Sequence, residues 1–143
     1  MIDKKELISK LKYQHRVLLE DLSLASGESG EKNGPGSKVI LGALEKFKKD
    51  LEGHLEFEND VFYAELLKEM ERDGYDTSKT KMFILEMRGI EKDIRSFLEK
   101  YRNEADIGDN ISEFRKDLLA MTEAVKLRIE SEESGVFRYW DIP

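Results

Sequence analysis

The stretch ILGALEKFKKDLEGHLEFENDVFY, residues 40–63, decides the fold. Its apolar residues fall at Ile40, Leu44, Phe47 and Leu51, and spacings of four and three are the helical period. The same stripe runs on through His54, Glu58 and Val61, with Phe62, Leu66 and Met70 continuing it. Asp73-Gly74 closes the run, which predicts one long helix over residues 37–73 with Ser37 as its N-cap. A histidine and a glutamate one turn apart thus stand where leucines are expected. Such a pair is costly to bury unless something satisfies it, and helical bundles use such pairs to hold metals.

Outward from this helix, the rest of the chain repeats the pattern. The first helix is expected over 3–26, opened by Asp3 with Glu6 three residues on, a capping-box arrangement. Its stripe is Leu7, Leu11, His15, Leu18 and Leu22. The breaker-rich segment from Gly27 to Gly36 follows and reads as a linker. A third helix over 78–103 carries Phe83, Met87, Ile90, Ile94, Phe97 and Tyr101. A fourth over 109–137 carries Ile111, Phe114, Leu118, Met121, Val125, Arg128, Glu132 and Val136. Four amphipathic helices with short connections, the first excepted, predict an all-α, up-down-up-down four-helix bundle. Residues 1–143 are expected to form one domain, large enough to bury a real core.

Composition narrows the function classes. There is no cysteine, which excludes disulfides, iron–sulfur clusters and thiol nucleophiles. The net charge of −7 argues against nucleic acid as a partner, since phosphate binding wants a basic face. No apolar run approaches the ~18 residues of a membrane span, and the first residues lack an apolar signal core. The expectation is a soluble, cytoplasmic chain. No Gly-x-Ser-x-Gly occurs, and the segment from Gly27 to Gly36 lacks the Lys-Ser/Thr ending of a phosphate-binding loop.

Five stripe positions carry groups that a plain core would not choose: His15, His54, Glu58, Arg128 and Glu132. Each alone has an innocent reading, because a core histidine is often simply hydrogen-bonded and an arginine can snorkel. Their heights tie them together. Reflecting the second helix through a turn near residue 75 puts Glu58 level with residue 92. Reflecting the fourth through a turn near 106 puts Arg128 level with residue 84, so the two bracket Met87. Histidine nitrogens and carboxylate oxygens gathered in one layer suit iron, manganese or zinc.

At these residues the chain resembles the hemerythrin-like (HHE cation-binding) family of four-helix bundles. The resemblance is carried by Gln14-His15-Arg16, by His54-x-x-x-Glu58 with Phe62-Tyr63 beyond it, by Glu86-Met87-x-x-Ile90 and by Arg128-Ile129-x-x-Glu132-Glu133-x-x-x-Phe137. It implies a non-haem iron site. One iron would take His15 and His54, and Glu58 and Glu132 would bridge to a second. The second iron's two imidazoles would come from positions that here hold Met87 and Arg128. A thioether is a poor ligand for hard iron, and a guanidinium is no ligand at all. The resemblance therefore implies an incomplete di-iron site, with His15, His54, Glu58 and Glu132 as metal ligands and at most one iron per chain. Glu91, one turn after Met87, is either a substitute ligand or a rim residue.

Three readings follow. The first is a metal-binding protein that binds or senses iron, dioxygen or another small diatomic and is not an enzyme. The second is a metal-free bundle acting as a protein-interaction module, with Arg128 replacing the second metal as the cation that two buried carboxylates require. The third is a small oxidase or nitric-oxide-handling protein. Either a monomer or a dimer is expected, with Tyr139 and Trp140 as exposed aromatics at a candidate dimer contact.

Overall fold

The computed structural model describes residues 3–30 and 36–139. Residues 31–35 of the expected linker and the tail from Trp140 lie outside the described residues. Within them the chain forms α1 (Lys4–Gly30), α2 (Ser37–Phe57), a π-helical segment (Glu58–Tyr63), α3 (Ala64–Arg72), α4 (Ser78–Lys100), α5 (Glu104–Gly108), α6 (Ile111–Ser134) and a closing 3₁₀ turn (Val136–Tyr139). Helical backbone angles continue through Phe57, Glu58, Tyr63 and Ala64, so α2, the π segment and α3 make one rod. With α1, α4 and α6 this gives the expected all-α bundle of four rods.

Ion pairs show the alternating directions. The start of α1 meets the end of α3 through Lys4 and Glu69, and Asp21 near its other end takes Lys46 of α2 at 2.8 Å. The end of α4 meets the start of α6, where Lys100 reaches Glu113 at 2.7 Å and Asp117 at 2.9 Å. No helix among the described residues is long and apolar enough to cross a membrane.

The helix ends explain where the boundaries fall. Asp3 Oδ1 accepts from the backbone N–H groups of Lys5 and Glu6, at 3.0 and 3.2 Å, satisfying two of the free donors of the first turn. The α1 helix runs to Gly30 rather than stopping at residue 26. Adding a turn to an already nucleated helix is cheap, and each glycine costs only about 1 kcal/mol. Ser37 is the first helical residue of α2 rather than its cap, because the Gly36 carbonyl accepts the first helical bond from Ile40 N–H. After α3, Gly74 adopts φ 80°. Tyr75 N–H then bonds back to the Met70 carbonyl at 2.9 Å and Gly74 N–H to that of Glu71 at 3.2 Å, the paired closure that favours glycine at this position.

Two expected spans require larger correction. The third helix ends at Lys100, not 103, and the expected connection contains α5. Asn103 accepts the N–H of Asp106 at 3.0 Å and caps this extra helix, which buries Ile107 against the core. The fourth helix spans Ile111–Ser134 instead of 109–137. Beyond Gly135 the chain tightens into the 3₁₀ turn, so Phe137 rather than Val136 is the fully buried residue.

The core falls into two apolar clusters. The larger is built on Leu18, Leu22, Phe47, Leu51, Phe97, Phe114 and their neighbours. The smaller joins Leu7, Leu11, Phe62, Leu66, Ile84 and Phe137. On every rod the change from one cluster to the other falls near the predicted polar positions, and the polar layer lies between the clusters.

Candidate metal centre

The five predicted polar side chains are all buried: Glu58 and Glu132 are 0 % exposed, His15 1 %, His54 3 % and Arg128 5 %. Four of them converge. His15, His54, Glu58 and Glu132 each offer one ligand-type atom, and these atoms all lie within 4.8 Å of one another. His54 Nε2 is 3.2 Å from Glu58 Oε2, and His15 Nε2 is 3.3 Å from Glu132 Oε1 and 3.9 Å from Glu58 Oε2. None of the four atoms so named makes a hydrogen bond. Buried polar atoms are almost always paired, and these four face one another at ion-pair range without a hydrogen bond.

The outward sides of both imidazoles are satisfied. His54 Nδ1 donates to the side-chain carbonyl of Gln14 at 2.7 Å, and His15 Nδ1 donates to Glu133 Oε2, also at 2.7 Å. An amide oxygen and a carboxylate can only accept, so each Nδ1 carries a proton and each Nε2 faces the centre. The same arrangement orients histidine ligands and sets their tautomer in metal sites. His15 is further held by a parallel stack on Phe137, with ring centroids 5.4 Å apart.

The π segment sets the carboxylate side. It begins at Glu58, and its wide i→i+5 turn lets both Phe62 and Tyr63 face inward, at 0 % and 3 % exposure. Val61, expected on the stripe, is only half-buried. Tyr63 thereby reaches across the bundle, and its hydroxyl donates to Glu132 Oε2. This leaves Oε1 of Glu132 turned to the cluster.

Arg128 lies beside the cluster as expected. One terminal nitrogen donates to Glu58 Oε1 at 2.7 Å and the other to the Met87 carbonyl at 3.2 Å, while Nε lies 3.6 Å from Glu132 Oε1. Met87 is therefore part of the layer through its backbone. Glu91 is not among the converging groups. Its Oε1 accepts from Arg95 at 3.2 Å and its Oε2 sits 3.9 Å from Arg128, which places it at the rim.

The ionisation pattern follows from this crowding. Burial opposes a charge on His15, but Glu132 and Glu58 beside it prevail and raise its pKa to about 10. Burial dominates at His54 and holds its pKa below the ordinary histidine value. Burial and the facing charge of Glu58 push Glu132 up to about 7. Glu58 is kept ionised well below the usual range despite burial, by His15 and His54. Arg128 stays charged, its burial outweighed by Glu132 and Glu58. Without a metal the layer is thus a compensated set: a protonated His15 and Arg128 against the carboxylates.

Gln14, Glu133, Tyr63 and Phe137 were not singled out by role from sequence. Gln14 and Glu133 adjoin the ligand-type residues in the chain and lie off the apolar stripes. Tyr63 and Phe137 look like ordinary core aromatics. Tyr139 is half-buried against Tyr75 at 5.6 Å, so it is not the exposed aromatic expected, and Trp140 lies outside the described residues.

The donor set fits a metal. Ligand atoms about 2.0–2.2 Å from one ion lie at most ~4.4 Å apart. The 3.2, 3.3 and 3.9 Å separations fall inside that span, and the widest, 4.8 Å, slightly exceeds it. Comparison with curated proteins and with solved structures gives no match. Comparison with protein families does: the model of the hemerythrin HHE cation-binding domain matches residues 6–140, and the chain belongs to that family.

Proposed function

We propose that this chain is a non-haem metal protein holding one ion, iron by preference, at His15, His54, Glu58 and Glu132. We read it as a binding or sensing protein for iron, dioxygen or another small diatomic, rather than an enzyme. The observation that carries this reading is the set of four orphaned atoms, two imidazole nitrogens and two carboxylate oxygens, buried at one point. A bound metal there supplies Lewis acidity and, as iron, a one-electron couple. The protein's part is to orient: Gln14 and Glu133 aim the imidazoles, Tyr63 turns Glu132, and the two apolar clusters exclude bulk water.

A second reading draws on Arg128. With its guanidinium 2.7 Å from Glu58 and His15 protonated, the layer is charge-compensated without a metal. On that basis the second reading is a metal-free bundle acting through protein contacts. Metal analysis of protein purified without chelator or added metal separates the two. About one iron per chain is expected. None would favour the metal-free bundle, and two would overturn the assignment of Arg128 to the second metal's place.

A further inference from the structure

Arg128 puts a permanent positive charge against both carboxylates of the candidate ligand set. It lies 2.7 Å from Glu58 and 3.6 Å from Glu132. It is 5 % exposed and fastened by the Met87 carbonyl, so it cannot swing out to solvent without breaking two buried hydrogen bonds. The charges of the ligand set itself can be counted. Neutral His15 and His54 add nothing, and Glu58 and Glu132 add two negatives. A divalent ion therefore closes the ligand set to neutrality. Arg128 then leaves one positive charge, which faces Glu91 at 3.9 Å. A trivalent ion would leave a second positive charge beside the guanidinium, with Glu133 on His15 Nδ1 at 2.7 Å and Glu91 at 3.9 Å from Arg128 as the carboxylates at the edge of the layer.

Resting on the single-metal reading above, we propose that Arg128 makes this centre select divalent over trivalent ions, with Glu91 tempering that preference from the rim. For iron, the same selection holds the ferrous state. Two unit charges about 6 Å apart at an effective dielectric constant of about 20 repel strongly enough to shift a binding ratio on the order of 100-fold. In a one-electron couple, at about 59 mV per tenfold, that corresponds to roughly 120 mV of raised potential.

Zinc(II) and gallium(III) are redox-inert probes of this selection. The ratio of their affinities, gallium being delivered as its citrate complex, should be measured for the wild-type chain and three variants. Arg128→Met should lower the zinc-to-gallium ratio on the order of 100-fold. Arg128→Lys keeps the charge and should retain most of the wild-type preference. Glu91→Gln removes a rim charge without touching a candidate ligand and should move the ratio the other way, several-fold toward zinc. If Arg128→Met fails to fold, the sign of the Glu91→Gln shift decides the matter. Equal ratios for wild type and Arg128→Met, or a Glu91→Gln shift toward gallium, would overturn the proposal while leaving the single-metal site intact. A wild-type chain that takes up neither ion would instead overturn the metal reading, and this inference with it.

Discussion

Removing the Arg128 guanidinium would leave Glu58 and Glu132 facing each other between two apolar clusters, with His15 as the one cation at the cluster among the described residues. Breaking a buried pair typically costs about 3–5 kcal/mol, and that loss is expected for metal-free Arg128→Ala at pH 8 in urea unfolding with chelator present. The loss should shrink as pH falls toward about 7, because Glu132 without the lowering influence of Arg128 takes up its proton above its wild-type value of about 7. A loss below ~1 kcal/mol at pH 8, the range of an exposed pair, would contradict the buried geometry. This layer was legible in the sequence because its members interrupt apolar stripes. A polar residue at a leucine's position is visible in one dimension. The residues that orient it were not legible for the same reason. Gln14 and Glu133 interrupt nothing, and their bonds to His54 and His15 join separate rods. The hydrogen bond from Tyr63 to Glu132 depends on a backbone irregularity that periodicity does not record.

At the scale of elements, that irregularity is the π segment. A stripe at spacings of three and four allows either Val61 or Phe62 to follow Glu58, so the sequence read as plain helix. The run Val61-Phe62-Tyr63 was the available signal, since three adjacent apolar residues exceed what one α-helical face needs. The extra helix α5 was also signalled, by Asn103 with Asp106 three residues on, but five residues carry too little periodicity to be read. The end of α6 is set by Gly135. A Cβ there would come within 2.6 Å of the Ser131 carbonyl oxygen, which is backbone and cannot yield as a side-chain tip could. Gly135→Ala should therefore force the 3₁₀ turn to shift and unseat Phe137 from its stack on His15. The expected cost is about 1–3 kcal/mol, as for overpacking a well-filled site, with weaker metal uptake alongside. Thermal unfolding and metal titration of this variant check both. Unchanged stability in the Gly135→Ala variant would show that the turn adjusts freely.

For the whole molecule, the polar layer is a seam across an otherwise apolar core, and protons and a metal compete for it. His15 has a folded pKa of about 10, above its ordinary 6.5. Its contribution to metal-free stability is therefore fully present below about pH 6.5 and is lost as pH rises through about 10. Glu132, raised to about 7, acts in the same sense at lower pH: its contribution is present below its unfolded value and fades as pH rises through about 7. Glu58 is depressed, so its contribution is present above the unfolded carboxylate value and is lost only in acid. Across pH 7–9 the metal-free fold should thus lose stability. Metal uptake should show the opposite slope, because an imidazole must give up its Nε2 proton to ligate. His54, held neutral by burial, gives up none. One proton released from His15 predicts about a tenfold gain in apparent affinity per pH unit between 7 and 9, or ~1.4 kcal/mol per unit. The dependence should steepen below about 7, where Glu132 must also deprotonate. Titration calorimetry with zinc, in buffers of different ionisation enthalpy, counts these protons directly. Close to one proton per ion at pH 8 is expected, rising toward two at pH 6. A pH-independent affinity with no proton released would mean that His15 is not a ligand, and the metal would have to lie elsewhere in the bundle.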